Sequence, residues 1–434
     1  MTLERRFVLL TALRWLPLGV VVPLLVLVPT ARGLDLAAIG VITATHGIVA
    51  VALEVPSGAL ADTIGRRRTL LGGGVLMALA LAVFAFALTT PVFALAEGLL
   101  AAGRALISGA LEAWFVDALR AKDPAAEIGR PLARSSAASA GALGIGALLG
   151  GLLPLLPLDF AASGGATLLV YTPALVTAVV AALVFVAAVA LLVHEPPRPV
   201  AGHAPGALRA FGRTGRTAAR ELRRSRPLRL LLGVSVTLGL GYSSIEMLWQ
   251  PRLGTLLGSA HDATWLFGLL AAVAMGASAA GAVAAPWFTR RFGGARGAYA
   301  VTVGLSAVAL TALALTAGPA TFALAYVTVY GVTGGYEPLH NALLHDAAAS
   351  EVRATLASVD SLAIQLGVVV SGLTLAPLAE HASVRTAWLA AAAVLVVATA
   401  LVLRLPRTTT PAEPDGEPVL AARPTAAPAP PATV

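Results

Sequence analysis

The sequence contains no cysteine and little charge. Of its 434 residues, 58% are apolar and only 12% are charged, against about 25% in an ordinary soluble domain. Without cysteine there are no disulfides, no thiolate metal ligands and no cysteine nucleophile. With so few charges there is too little polar surface to cover several soluble cores. The composition therefore argues against soluble and disulfide-stabilised secreted proteins.

Long apolar runs take the place of the missing charge. Runs of about 20 residues match the length of a helix that crosses a bilayer. They are continuous rather than alternating, which argues against an outer-membrane barrel. The sequence predicts an all-α polytopic membrane protein with twelve spans, at residues 7–29, 37–60, 69–89, 92–119, 134–157, 167–193, 228–251, 263–287, 297–317, 319–344, 354–377 and 384–404.

Positive charge lies on one side of these spans. The loops that precede spans one, three, five, seven, nine and eleven, together with the end of span twelve, contain most of the arginines. The opposite loops keep only Arg32, Arg252 and Arg385. Because cytoplasmic loops collect Lys and Arg, we expect a bacterial cytoplasmic membrane protein with both termini in the cytoplasm. The net charge of +8 then reports topology, and it gives no reason to expect nucleic-acid binding.

An internal repeat relates the two halves of the chain. The matching pairs, each 228 positions apart, are Pro23 and Pro251, Gly40 and Gly268, Gly65 and Gly293, Pro91 and Pro319, and Gly103 and Gly331. Two such halves are typical of transporters whose binding site lies between them. We expect an N-terminal six-helix bundle at 1–193, a basic cytoplasmic linker at 194–227, a C-terminal six-helix bundle at 228–405, and a disordered Pro/Ala-rich cytoplasmic tail at 406–434.

The loop between spans two and three carries the most specific motif, Gly58-Ala-Leu-Ala-Asp62-Thr-Ile-Gly65-Arg66-Arg67-Arg68. It resembles the signature loop of the major facilitator superfamily, in which Gly, Asp, Gly and a basic run recur at this spacing. The resemblance implies the twelve-helix fold of that superfamily and alternating access. It also implies a gating network at the cytoplasmic helix ends, formed by Gly58, Asp62, Gly65, Arg66 and, on span four, Asp117.

Two weaker motifs bear on the direction of transport. Arg104 in span four is followed by Ser108, where drug–proton antiporters of the superfamily have glycine. Span five keeps three glycines of their Gly-Pro-x-x-Gly-Gly pattern, and Ala147 replaces the proline. The resemblance implies efflux of a small amphipathic compound in exchange for protons, as in drug resistance. The alternative is a proton-coupled importer of a sugar, organic acid or other metabolite, and a distant one is a polytopic membrane enzyme or sensor.

Ionisable residues inside the first-half spans are candidate proton-coupling groups. A charge at the bilayer centre costs about 2.5–3.5 kcal/mol on insertion scales, so each needs a partner or water. At about 1.5 Å per residue, Arg14, Glu54 and Glu112 lie at similar depth, which predicts a buried cluster with one proton-carrying carboxylate. Arg104 shares a face of span four with Glu97, and we expect it to face the central cavity. Structural ion pairs remain an equal interpretation.

The second half supplies candidate substrate-binding residues alongside Arg104. Tyr242, Glu246 and Trp249 share one face of span seven. Glu337 and His340 in span ten, with Asp360 in span eleven, lie at the depth of the first-half cluster. His340 can titrate near neutral pH, although a lone histidine is more often a hydrogen-bonded core residue. Trp15, Trp114 and His46 are interpreted as packing or interfacial residues.

The energy source follows from a missing motif. The sequence has no Walker-type phosphate loop, so we expect the proton motive force rather than ATP to drive transport. We expect no enzymatic activity, metal or cofactor. The expected partners are a small-molecule substrate, protons and the lipid bilayer, and we expect a monomer.

Overall fold

A computed structural model describes residues 1–124, 126–156, 170–195, 220–258, 263–347 and 353–406, without the side chains of Val55, Ala59, Asp62, Arg353 and Ala354. The predicted tail and most of the predicted linker lie outside the described residues. The described helices are α1 Leu3–Val21, α2 Leu27–Ala31, α3 Leu36–Ile64, α4 Arg66–Phe86, α5 Thr90–Arg120, α6 Gly129–Leu152, α7 Thr172–Leu192, α8 Arg226–Leu257, α9 Thr264–Arg291, α10 Ala295–Ala314, α11 Pro319–Thr333, α12 Tyr336–Ala347, α13 Arg353–His381 and α14 Val384–Leu403.

Within the described part of the chain, eleven helical segments are long and apolar enough to cross a membrane. They correspond to every predicted span except the tenth, with ends that differ by several residues. Spans one to six are α1 and α3 to α7, spans seven to nine are α8 to α10, and spans eleven and twelve are α13 and α14. The all-α membrane fold is therefore confirmed.

The tenth predicted span is broken, so the expectation of one continuous helix over 319–344 is wrong. α11 ends at Thr333 and α12 begins at Tyr336. A Cβ atom on Gly334 would lie 1.9 Å from the carbonyl oxygen of Ser278 on α9. Such close approach of two backbones requires glycine, and glycine also lowers the cost of leaving the helix.

The two halves repeat the same packing. In the first half α1 packs on α6 and α7, α5 packs on α3 and α4, and α4 packs on α7. In the second half α8 packs on α13 and α14, α11 packs on α9 and α10, and α10 packs on α14. Each contact in one half therefore has its equivalent in the other. The internal repeat read from the glycines and prolines is a structural repeat.

The halves meet along two pairs of helices, α3 with α13 and α6 with α9. The repeat partners Gly40 and Gly268 each lie in one of these contacts. A Cβ atom on Gly40 would meet the carbonyl oxygen of Gly372 at 2.1 Å, and one on Gly268 would meet that of Ala147 at 2.4 Å. Small residues allow such backbone approach between membrane helices. Both contacts lie toward the helix ends opposite the arginine-rich loops, hereafter the outer ends; the arginine-rich ends are the inner ends.

Hydrogen bonds also join the halves at the outer ends. The Gln250 side chain of α8 accepts from the backbone N–H groups of Val26 and Leu27 at 2.9 and 3.1 Å. Its amide nitrogen donates to the carbonyl of Val22 at 2.7 Å. The Glu380 carboxylate accepts from the N–H of Leu36 at 2.9 Å. These contacts close the outer ends of the two halves against each other.

Candidate functional site

A polar cavity of about 150 Å³ lies among α1, α5 and α6 in the first half. Its lining is Phe7, Thr11, Arg14, Trp15, Ser108, Leu111, Glu112, Ser135, Ser136 and Ser139. Arg14 and Glu112, which the sequence placed in one cluster, both line this cavity. Hydroxyl groups from α5 and α6 surround them. The cavity offers hydrogen-bond donors and one carboxylate to a bound solute.

Two arginines contact the Trp15 ring, and of the two only Arg14 lines the cavity. The Cζ atoms of Arg14 and Arg104 lie 5.1 and 5.6 Å from the centroid of the Trp15 ring. Arg104 repels the Arg14 guanidinium electrostatically, and Glu112 attracts it. Neither guanidinium makes a hydrogen bond or ion pair with another described residue. Cation–π contacts with the indole thus hold two neighbouring cations. Glu112 attracts Arg14 and Glu97 attracts Arg104, but neither carboxylate forms a direct ion pair with them in the described ranges.

Glu54 lies outside this cluster, so the predicted association of Arg14, Glu54 and Glu112 is wrong in one member. Glu54 interacts instead with Ser361 of α13 across the interface between the halves. Depth along the helix, which the sequence supplied, does not specify the face on which a side chain lies. α3 packs on both α5 and α13, and Glu54 faces the second of these.

Arg104 is linked to a second pair that sequence reasoning missed. His46 Nδ1 lies 2.9 Å from Glu97 Oε2, which joins α3 to α5. The Glu97 carboxylate also attracts Arg104. His46 was interpreted as a packing residue because a single sequence carries no signal for contacts between separate helices. The sequence predicted Glu97 as a partner of Arg104 only. In the structure the Glu97 carboxylate is also paired with His46.

The second half contains a buried network centred on His340. Nε2 of His340 lies 2.9 Å from Asp360 Oδ1, and Nδ1 lies 2.8 Å from the Tyr299 hydroxyl. Ser235 donates a further hydrogen bond to Asp360. The exposed fractions of His340 and Asp360 are only 5% and 6%. The sequence predicted that His340 and Asp360 lie at the same depth, but it predicted neither their pairing nor the contacts with Ser235 and Tyr299.

The remaining second-half candidates form two groups. Tyr242, Glu246 and Trp249 contact other side chains, whereas Glu337 is exposed. Glu246 accepts a hydrogen bond from Tyr330 and lies near Tyr242, which is 41% exposed. Trp249 is fully buried and stacks on Tyr326 with ring centroids 4.8 Å apart. Glu337 is exposed in the first turn of α12. Within the described ranges, the Glu337 side chain makes no hydrogen bond or ion pair with another residue.

The predicted gating residues lie at the inner ends of the first-half helices. Arg66 Nη2 forms the expected ion pair with Asp117 Oδ2 at 2.8 Å. Gly65 has φ of +99°, which favours glycine, whereas Gly58 faces open space. The Asp62 side chain lies outside the described residues. Glu195, which the sequence placed in the linker, accepts a hydrogen bond from the Arg66 N–H at 2.6 Å and was missed.

Solved structures of similar fold are transporters. The nucleoside transporter NupG has a TM-score of 0.72 at 15% identity, covering 93% of this chain and 99% of that one. The D-xylose–proton symporter has a TM-score of 0.70 at 14% identity, with 94% and 99% covered. A bacterial homologue of the human lysosomal transporter Spinster, inward-facing and unoccupied, has a TM-score of 0.69 at 17% identity, with 92% and 95% covered.

Sequence comparison identifies the family. No curated protein matches this chain. The family description that matches, over residues 7–332 and 251–432, is the Major Facilitator Superfamily. These matches span nearly the whole chain, and the repeated helix packing agrees with them. The chain is therefore a multi-pass membrane transporter rather than an enzyme, and it belongs to the Major Facilitator Superfamily.

Proposed function

We propose that this transporter imports a small hydrophilic metabolite together with protons. The lining of the first-half cavity, with Arg14, Glu112 and several serines, supports a hydrophilic cargo. A hydrophilic solute loses its hydration on binding and needs such groups to replace it. An amphipathic drug would be better matched by an apolar cavity. The fold similarity to a D-xylose–proton symporter favours the same choice over the efflux that the weaker sequence motifs implied.

The observation that carries proton coupling is the buried His340–Asp360 pair. An ionisable pair inside membrane helices is costly to keep, and this one has partners for every protonation state. With His340 neutral, Nε2–H donates to Asp360 while Nδ1 accepts from Tyr299. With His340 protonated, both ring nitrogens donate. We assign to this pair the proton that moves with the solute, and to Glu112 the site where solute and proton meet.

Alternating access follows from the closed outer ends. If the arginine-rich loops are cytoplasmic, as we propose from their charge, the described conformation is the one closed on the side away from the cytoplasm. Import then requires the Gly40 and Gly268 contacts to separate and the inner ends to close. We assign the Arg66–Asp117 ion pair to the inner gate, because it joins the start of α4 to the last turn of α5.

Reconstitution tests this proposal. In proteoliposomes with an alkaline interior, uptake of a panel of sugars, nucleosides, organic acids and phosphate esters should include a solute whose accumulation depends on the pH gradient. Asp360→Asn should abolish that accumulation and leave exchange of the same solute intact. Asp346→Asn, an exposed site on α12, is the matched control. Uptake that does not depend on the pH gradient would contradict the proposal. Transport limited to the extrusion of amphipathic dyes would also contradict it.

A further inference from the structure

The proposed function leaves the charge of the solute open. Arg14, which lines the first-half cavity, and Arg104, which contacts the same Trp15 ring, indicate that charge. We infer that the transported solute carries an anionic group, a carboxylate or a phosphate, that binds between Arg14 and Arg104. The inference rests on the proposed transport function, since it names the class of solute that this site takes.

The first argument is the charge around Trp15. Two guanidinium groups lie against one indole ring, at 5.1 and 5.6 Å from its centroid. In the part of the chain that the structure describes, neither group has a hydrogen-bonded carboxylate partner. The Nε atom of Arg14 is buried without a hydrogen bond. Two adjacent cations that repel each other in a membrane interior are costly, and a bound anion would offset that cost.

The second argument is the hydrogen-bonding capacity of the cavity. Guanidinium groups bind carboxylate and phosphate oxygens through paired N–H donors. Ser108, Ser135, Ser136 and Ser139 line the same cavity as Arg14. Serine hydroxyls rotate, so they can turn from helix carbonyls such as that of Leu132 toward an anion. The cavity volume of about 150 Å³ suits a small anionic head group.

The third argument is the competition between Glu112 and an anion for Arg14. Glu112 is the carboxylate that attracts Arg14, and the lining from α1, α5 and α6 contains no further titratable side chain. Behind Arg104, Glu97 is hydrogen-bonded to His46. An ionised Glu112 both neutralises Arg14 and repels a bound anion, whereas a protonated Glu112 does neither. Binding of the anion and protonation of Glu112 therefore promote each other, which gives co-transport of anion and proton.

The test measures binding on the purified full-length protein, separately from transport. Thermal unfolding is followed with inorganic phosphate, glycerol 3-phosphate and succinate as anionic probes, and with xylose and uridine as neutral probes. We expect at least one anion to raise the unfolding temperature and the neutral probes to leave it unchanged. Phosphate against succinate distinguishes a phosphate-selective site from a carboxylate-selective one.

Matched variants assign the effect to the two arginines. Arg14→Gln and Arg104→Gln should each weaken binding of the stabilising anion by about tenfold or more, the loss expected for a charged hydrogen bond. Arg385→Gln, at an exposed site on α14, should leave binding unchanged. Glu112→Gln should act in the opposite direction and strengthen anion binding, because it removes the carboxylate that competes with the anion for Arg14. This gain keeps the test decisive if an arginine variant fails to fold.

The outcomes separate this inference from the proposed function. No anion-dependent stabilisation, or stabilisation that persists in both arginine variants, overturns the anion site. Proton-driven uptake of a neutral solute also overturns it and leaves the transport proposal standing. Arginine-dependent anion binding without proton-driven uptake in proteoliposomes would support the anion site and contradict the proposed proton coupling.

Discussion

Gly40 and Gly372 meet backbone to backbone, with only 2.1 Å between an ideal Cβ on Gly40 and the Gly372 carbonyl oxygen. The contact holds α3 against α13 at the outer ends, and the contact of Gly268 with Ala147 holds α9 against α6 in the same way. Two small contacts related by the internal repeat thus close one side of the molecule. A side chain at either point separates the helices that must part for the outer side to open.

Enlarging Gly40 should open the outer side. Gly40→Leu introduces a side chain where the Gly372 carbonyl lies, so it destabilises the outer-closed state relative to the outer-open one. Because the native chain has no cysteine, Ala44→Cys provides a single labelling site that is 2% exposed in the described state. Maleimide should label this site faster in the Gly40→Leu background.

The control for this experiment is Gly276→Leu, because a Cβ atom at Gly276 of α9 meets nothing within 4 Å. Labelling of Ala44→Cys should be the same in that background as in the native one. Equal labelling in the Gly40→Leu background would show that this contact does not control opening.

Removing the Gln250 amide should weaken the closure by a different route. Gln250→Leu leaves the N–H groups of Val26 and Leu27 and the carbonyl of Val22 without their partner. Each lost hydrogen bond costs about 0.5–1.5 kcal/mol, so the outer-closed state should lose stability. Thermal unfolding in detergent measures the loss. Gln365→Leu on α13 is the matched control, and an equal decrease in both variants would contradict a specific role for Gln250.

Tyr299 should affect coupling through His340 rather than through the solute. Tyr299→Phe removes the hydroxyl 2.8 Å from His340 Nδ1, and the histidine loses its partner at Nδ1 while Asp360 and Ser235 remain at Nε2. We expect a shifted pH dependence of proton-driven uptake, with the apparent affinity for solute unchanged. Tyr326→Phe, in the aromatic cluster beside Trp249, is the control. A change in solute affinity without a change in pH profile would place Tyr299 at the solute instead.

The Arg66–Asp117 pair should matter more for rate than for stability. The Asp117 side chain is 61% exposed, and exposed ion pairs contribute about 0–1 kcal/mol. Asp117→Asn should therefore leave the unfolding temperature nearly unchanged while it lowers the transport rate, because the inner gate loses a contact in one state only. Asp346→Asn controls for loss of an exposed carboxylate. A large loss of stability with a normal rate would make the pair purely structural.

The fold was largely predictable from the sequence, because it follows from the length of the apolar runs and from the internal repeat. Apolar runs of bilayer length and the 228-residue repeat predicted the helices and their two-fold arrangement. Even the rare outer arginines have a structural explanation. Arg32 donates to the Ala85 carbonyl at 2.7 Å, and Arg252 to that of Thr316 at 2.8 Å. Both carbonyls lie at the outer ends of helices, where such groups lack helical partners.

The site was less predictable because it depends on contacts between separate helices. Depth along a helix placed Arg14, Glu54 and Glu112 together, but Glu54 faces α13, and only packing decides the face. The pairing of His46 with Glu97 and of Tyr299 with His340 has no local sequence signal. The break in span ten did have one, in the adjacent Gly334 and Gly335, and the apolar run around them obscured it.

The direction of proton movement tests the central claim most directly. Proteoliposomes that contain a pH-sensitive dye receive the transported solute outside, with no imposed gradient. If solute and proton move together, entry of the solute acidifies the interior, and Asp360→Asn abolishes the signal. The account predicts this acidification. Alkalinisation of the interior on solute entry would mean exchange against protons, and it would contradict the proposed import mechanism.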